Sequence, residues 1–421
     1  IPCTVTVIPH DDVAEALRHW RSVRSLLADL LESPESLGLG LMARIQILGF
    51  GFRMGLDPEE FVQVFDEGTA MAKQANNLHA LGLMMTLRDT VNAVSGKIDQ
   101  MVSDMPETLR VAEETGDPGL KLVGRAGLVY AHIGSGSMQE AWNVASEVIE
   151  NPPDDPNLGA AIMGISPYIQ THFLGCFALT YLGRIAEARR LHDRCIELAE
   201  ANGQAEIGGW VRGTFNLIAY LTGDPEGTLE AVRPSIEIAE KIGSALSLVT
   251  ARWSLGVAHV VRKEWKEARE VLERALEMSR SSQAGRFMEG RVLSYLSGAY
   301  LALGEQEEAL RTAEEAVALS QARHTPNFEC SSHLAVARAR IAIDGAGARE
   351  AIETSLAEAE RLAGKIAAVY WIPFIEEARA DLAKLTGDDT ARALALREAH
   401  RLFTDMDATV NAERIGKELG L

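Results

Sequence analysis

Cysteine is scarce in this chain, and the four that occur, Cys3, Cys176, Cys195 and Cys330, are far apart with no CxxC pair. That spacing speaks against a disulfide framework in a chain of 421 residues, and the thiols read as reduced. Aromatic residues are also few, at 6%, while Ala, Leu and Glu are frequent, which favours helices over sheets. Basic residues fall short of acidic ones, 41 against 60, leaving a net charge of −19. Such a field repels phosphate backbones and anionic lipid, so neither nucleic acid nor a membrane surface is an expected partner. No run approaches the roughly 18 apolar residues of a membrane span, and no basic segment followed by an apolar one opens the chain. A cytoplasmic protein is expected.

Catalytic signatures are missing as well. The sequence contains no P-loop, HExxH, GxSxG or EF-hand spacing, so the chain is not expected to be an enzyme, and no cofactor is expected. Gly38-Leu-Gly40-Leu-Met-Ala43 matches the glycine fingerprint of dinucleotide-binding folds, but Leu30-Leu-Glu-Ser-Pro-Glu-Ser stands where a buried strand should precede it.

What the chain does have is a repeat. A turn residue recurs at Gly55, Gly96, Gly136, Gly183, Gly223, Lys263, Gly304, Gly345 and Gly387, with gaps of 41, 40, 47, 40, 40, 41, 41 and 42. An apolar helical stretch precedes each marker and an amphipathic one follows it. After Lys263, for example, Ala268, Val271, Leu272, Ala275 and Leu276 fall at spacings of three and four. Each unit is therefore a helical hairpin, with glycine at the turn because it reaches positive φ without a Cβ clash. Small residues recur five past the marker (Ala141, Ala188, Ala268, Ala309) and twelve past it (Cys195, Ser235, Ala275, Ala316, Ala357, Ala399). They let paired helices approach closely, and neither helix can bury its face without the next hairpin. The fold expected is an all-α, right-handed superhelical solenoid of about nine hairpins with a period near 40 residues.

Its divisions follow from composition. Residues 1–12 form an extended tail, 13–150 the N-terminal hairpins, 151–167 an irregular connection, 168–407 the central and C-terminal hairpins, and 408–421 a capping helix. The connection accounts for the one long gap, with four prolines in Asn151-Pro-Pro-Asp-Asp-Pro-Asn and Ser166-Pro167. It reads either as a loop without a role or as a hinge.

The pairing of Leu255-Gly256 before the turn with Ala268 and Ala275 after it, and of Tyr300, Gly304, Ala309 and Ala316 in the next unit, resembles tetratricopeptide repeats. From Leu41-Met-Ala-Arg-Ile-Gln-Ile-Leu-Gly to the ending around Ala399-His-Arg-Leu-Phe, the chain resembles the C-terminal repeat region of bacterial multidomain signalling proteins. In those, a class III adenylate or guanylate cyclase domain and a signalling ATPase domain precede the repeats. The resemblance implies a sensor or regulatory arm whose partner is a protein or peptide, including other domains of the same polypeptide. Whether the array also pairs into a homodimer is left open.

In stacked hairpins the first helix of each pair lines the concave side, the usual binding surface. The resemblance places Phe173, Phe177, Tyr181, Trp210, Tyr220 and Trp253 toward that groove, where they would grip an apolar segment, with Arg212, Arg252 and Arg291 offering bidentate contacts to carboxylates. The competing reading is that these rings pack between helices. One metal set is conceivable although no metal is expected: His172 and Cys176 lie one turn apart, His192 and Cys195 three apart on the partner helix, a donor set that suits zinc. Against it, both cysteines occupy places where other repeats carry Gly, Ser or Ala. The expected function is a peptide- or protein-binding scaffold. Alternatives are a sensor of a small molecule or peptide, marked by an apolar pocket larger than packing requires, and a helical enzyme whose site linear spacing does not reveal.

Overall fold

The computed structural model describes residues 13–27 and 33–421, so the tail expected at 1–12 lies outside the described residues. Among these, all regular structure is helical, in 21 α-helices and three short 3-10 turns. Helix α1 (Val13–Leu27) is followed by nine hairpins. The first three pair α2 (Pro34–Met54) with α3 (Pro58–Gln74), α4 (Leu78–Val94) with α5 (Ile98–Thr115), and α6 (Pro118–Ser135) with α7 (Met138–Glu150). After the four-residue α8 (Ala160–Met163) come α9 (Pro167–Tyr181) with α10 (Ile185–Ala201), α11 (Ala205–Thr222) with α12 (Thr228–Ile242), and α13 (Ala245–Val261) with α14 (Trp265–Ser282). The last three are α15 (Glu289–Ala302) with α16 (Gln306–Ala322), α17 (Pro326–Ile343) with α18 (Arg349–Lys365), and α19 (Ile372–Thr386) with α20 (Asp389–Asp405), before α21 (Thr409–Leu419). No described helix is long and apolar enough to cross a membrane. Gly38 to Ala43 lie inside α2, so the glycine fingerprint is helical and forms no phosphate-binding turn.

All nine turn markers have positive φ, from +56° at Gly345 to +84° at Gly136, including Lys263 at +61°. Beyond the turn, Ala141, Ala188, Ala268 and Ala309 are completely buried, as are Cys195, Ala275, Ala316 and Ala399 twelve residues on. Ala357 breaks the pattern and is exposed. A 3-10 turn at Gly345–Ala348 lengthens that connection, so Ile352 and Ala359, each two residues later than the common spacing, take the buried places.

The proline-containing connection after α7 is tied to the following hairpins. Ser166 caps α9, its Oγ accepting from the Ile169 N–H at 3.1 Å and donating to the Pro156 carbonyl at 2.5 Å. Gln204, between α10 and α11, accepts from the Ser166 N–H at 2.9 Å and donates to Asn157 at 2.8 Å.

The array winds tightly enough for its early turns to meet its late ones. The turn at Gly55 packs on the backbone between α14 and α15, so closely that a Cβ on Gly55 would come 1.8 Å from the Ser282 carbonyl oxygen. Successive turns repeat this one step along: Gly96 against Arg323, Gly136 against Pro326 and Ile366, Gly183 against Val369 and Met406, and Gly223 against Asn411. The Asn411 amide donates to the Leu221 carbonyl at 2.8 Å, across 190 residues of sequence, and the Tyr370 hydroxyl to the Leu217 carbonyl at 3.0 Å, across 153. One apolar core accordingly combines Ile47, Phe52 and Leu87 with Trp210, Leu246 and Ala284. Through this seam runs a buried ion pair, Arg53 Nε to Glu206 at 3.2 Å. Arg53 also donates to the Met163 carbonyl at 3.0 Å, while Glu206 accepts from Ser247 at 2.6 Å, whose oxygen accepts from the Trp210 indole at 2.8 Å.

Gly55 and Gly304 share φ +82°, but nothing lies within 4 Å of a Cβ on Gly304. Gly304→Ala should therefore cost only the backbone strain, about 1 kcal/mol, and Gly55→Ala about 3 kcal/mol or more because the turns must part. Urea unfolding of both compares them directly, and equal losses would mean that the inter-turn contact contributes nothing. Arg53→Met alone should cost about 3–5 kcal/mol by stranding Glu206, and Arg53→Met with Glu206→Gln much less. Additive losses in that cycle would contradict a coupled pair.

Candidate functional site

Because the turns meet, the concave side is a partly enclosed lumen rather than an open groove. A cavity of about 140 Å³ lies within it, walled by helices from the first hairpin to the eighth. Its residues follow a stripe on the first helix of each pair. Counted back from the turn marker, Val123, Gln170, Trp210, Thr250 and Arg291 stand at thirteen, Thr86, Phe173 and Trp253 at ten, and Thr90, Tyr130 and Phe177 at six. Steps of three and four keep these side chains on one helical face. Met101 and Met105 from α5, Met163 and Ile165 from the connection, and Phe287 and Phe328 from later loops and helices complete the wall.

Five of the nine sequence-derived groove residues, Phe173, Phe177, Trp210, Trp253 and Arg291, converge on this lumen. Phe173 meets Phe177 edge to face with centroids 5.2 Å apart and Trp210 at 6.1 Å. Tyr181 sits behind the wall, its hydroxyl accepting from Arg291 at 2.6 Å while its ring packs on Tyr370 at 5.2 Å. Tyr220 is displaced into the second superhelical turn, between Tyr295 at 5.2 Å and Phe374 at 5.1 Å, beside a smaller cavity of about 60 Å³. Arg212 and Arg252, eleven residues before the marker, lie off the stripe and outside the cavity wall. Arg212 bonds Glu200 and the Gly208 carbonyl, and Arg252 reaches the Met278 sulfur at 3.6 Å.

The zinc arrangement is also corrected. The only three-residue set of metal-ligating type drawn together among the described residues is Glu329, His333 and Glu358. Buried Cys176 and Cys195 instead point their sulfurs at the Ala188 and Ile169 carbonyls, each at 3.5 Å, across the closely packed helix pair. His172 Nδ1 contacts the Tyr168 carbonyl at 3.0 Å and His192 Nδ1 contacts Asp193 at 3.0 Å. Burial pushes the Cys176 thiol up to about 12 and the Cys195 thiol well above its usual value, and lowers both imidazoles. These four are neutral packing groups.

Sequence reading missed Tyr130, Phe287, Phe328 and the methionines. Applying the stripe spacing to every repeat would have found Tyr130, whereas Phe287 lies in a 3-10 turn outside the period. Asp89 was also missed. Among the described residues it is the one carboxylate on the cavity wall, paired with Arg88 at 2.8 Å and accepting from the Thr108 hydroxyl at 2.6 Å, with Asp104 nearby. Burial outweighs these partners and pushes its carboxyl up to about 6.

A family model described as a tetratricopeptide repeat matches residues 246–322, which span α13 to α16. These residues are tetratricopeptide repeats. No curated protein sequence matches the chain. Among solved structures, a Rap protein complexed with competence and sporulation factor is similar at 11% identity and TM-score 0.42, covering 98% of this chain and 97% of that one. A signal transduction ATPase with a tetratricopeptide repeat sensor from Pyrococcus horikoshii is similar at 16% identity and TM-score 0.44, covering 94% and 65%. The apo quorum sensor NprR from B. thuringiensis is similar at 11% identity and TM-score 0.41, covering 90% and 97%.

A carboxyl raised in the folded state stabilises the fold at low pH, and that contribution is lost as pH climbs from the unfolded value through about 6. Asp89→Asn should therefore raise stability at pH 7 by about 1–3 kcal/mol and make little difference near pH 4. Unfolding midpoints at the two pH values test this, and a loss of stability at pH 7 would contradict it.

Proposed function

We propose that the chain is a ligand-sensing regulatory repeat, in which a small molecule or short peptide lodges in the lumen and shifts the packing of one superhelical turn on the next. The observation that carries this is the cavity itself: it is partly enclosed, predominantly apolar, larger than packing requires, and lined from eight hairpins at once. Protein interiors ordinarily close such space, while a site shared by many repeats makes occupancy report on how they are wound. A ligand that contacts both turns has a different affinity for tight and loose windings, which is what shifting a population requires. An open scaffold would display its concave aromatics to a long segment, whereas Trp210 and Trp253 are buried here. The sequence resemblance to the repeat arms of bacterial multidomain signalling proteins supports a sensor arm, with the output passed to a protein partner or to other domains of the same polypeptide.

The test is a titration of the purified chain with a panel of uncharged apolar small molecules and short blocked peptides, read by tryptophan fluorescence and by amide hydrogen exchange. A binder should alter Trp emission and slow exchange around Ser282 to Met288, where the turns meet. Gly127 lines the cavity in mid-helix with only the end of Met105 close by. Gly127→Leu should fill the space without unfolding the chain and weaken binding at least tenfold. Ligands that bind the variant equally, or that protect only outer helices, would contradict a lumen site.

A further inference from the structure

Arg291 projects from α15 into the lumen wall and is 6% exposed. The other buried arginine among the described residues, Arg53, has Glu206 as its counter-ion. Arg291 has none among the described residues. Its guanidinium carbon lies 4.4 Å from the ring centroid of Phe328, 5.0 Å from Trp253, 5.6 Å from Phe177 and 5.7 Å from Tyr181. Of its five N–H donors, one is placed on the Tyr181 hydroxyl. Ring faces attract a cation, but they leave its remaining donors unbonded, and burying a charge without a counter-ion is costly.

The same wall carries further unmet donors. The Trp253 indole N–H and the Tyr130 hydroxyl are both buried without a hydrogen-bond partner, and both residues line the cavity. Tyr130 feels the Arg291 charge, which works against the upward push of burial on its phenol. An indole N–H and a guanidinium can only donate. Whatever satisfies this corner must be rich in acceptors and negative in charge, and the rest of the cavity, built of Val, Ile, Met and Phe side chains, requires an apolar body. An amine would be repelled, and a neutral alcohol would leave most of the donors unmet. At about 140 Å³ the cavity is of a size that admits a small organic molecule.

Resting on the reading of the lumen as a ligand site, we propose that it takes a small apolar carboxylic acid, its carboxylate accepting from the Arg291 guanidinium, the Trp253 indole N–H and the Tyr130 hydroxyl. The carboxylate completes the ion pair that the fold leaves open, and its hydrocarbon part lies among the methionines and phenylalanines. Arg291 then costs the free chain stability in return for charge selectivity.

The test compares octanoate with 1-octanol, two probes of similar apolar length, by calorimetric titration of the full chain at pH 7. Octanoate should bind at least tenfold more tightly, and the preference should fade as the acid is protonated below about pH 5. Arg291→Met should abolish the preference, leave octanol affinity unchanged and leave the thermal midpoint equal or higher. If that variant does not fold, Arg291→Gln keeps a polar side chain on the wall, removes the charge and should lose the preference in the same way. Trp253→Phe should weaken octanoate several-fold and spare octanol. Equal binding of both probes to the wild-type chain would overturn the carboxylate assignment while leaving an apolar lumen site standing. Binding of neither would overturn the assignment, with the lumen judged separately by the uncharged panel. A preference that survives the loss of charge at Arg291 would overturn it as well.

Discussion

The structure depends on the contact between successive superhelical turns, where the hairpin bends of the first repeats press against the loops of the last. A repeat array is ordinarily held by nearest neighbours alone. Here Gly55 meets Ser282, Gly136 meets Ile366 and Gly223 meets Asn411, so hairpins far apart in sequence stabilise one another. The glycines have two duties at these places: positive φ ends the first helix, and the missing Cβ admits the opposing chain. Gly304 and Gly387 share the conformation with open space around them, which separates the two duties within one molecule.

Closure also creates the chemistry. Left open, the stripe of first-helix side chains would be a groove washed by solvent, and Arg291 would be a hydrated surface charge. Enclosed, the same arginine is desolvated among four rings, Asp89 is pushed up toward neutrality, and the Trp253 and Tyr130 polar groups have no protein partner. Low dielectric strengthens whatever pairs with these groups and penalises leaving them bare. The seam at Arg53 and Glu206 shows the paired outcome: the two charges meet at 3.2 Å, Arg53 donates to the Met163 carbonyl, and Glu206 is bonded onward to Ser247 and through it to Trp210.

Much of the fold was legible in the sequence because each repeat states its own periodicity. The turn markers, the close-packed alanines and the first-helix placement of Phe173, Trp210 and Trp253 all follow from local spacing. A local rule also fails locally: the 3-10 turn after Gly345 shifts the buried set from Ala357 to Ala359. The zinc set failed because spacing places four donors on two helices without saying where the sulfurs point, and the carbonyls of the facing helix claimed them. Closure itself was not legible. It accumulates from small rotations between neighbouring hairpins, and neither Arg53 nor Glu206 announces a partner so distant in the chain. For the same reason Arg212 and Arg252 looked equivalent to Arg291 until the stripe was fixed by three-dimensional position.

The most direct test of closure joins two sites that only a closed superhelix brings together. Asp99, at the start of α5, contacts His324, between α16 and α17, and both side chains are exposed. In a chain carrying Asp99→Cys and His324→Cys, mild oxidation should form an intramolecular disulfide in the folded protein, seen as a faster-migrating monomer, and fail to form it in urea. Two thiols that stay reduced in the folded chain would mean that the turns do not meet, leaving an open groove and no enclosed lumen.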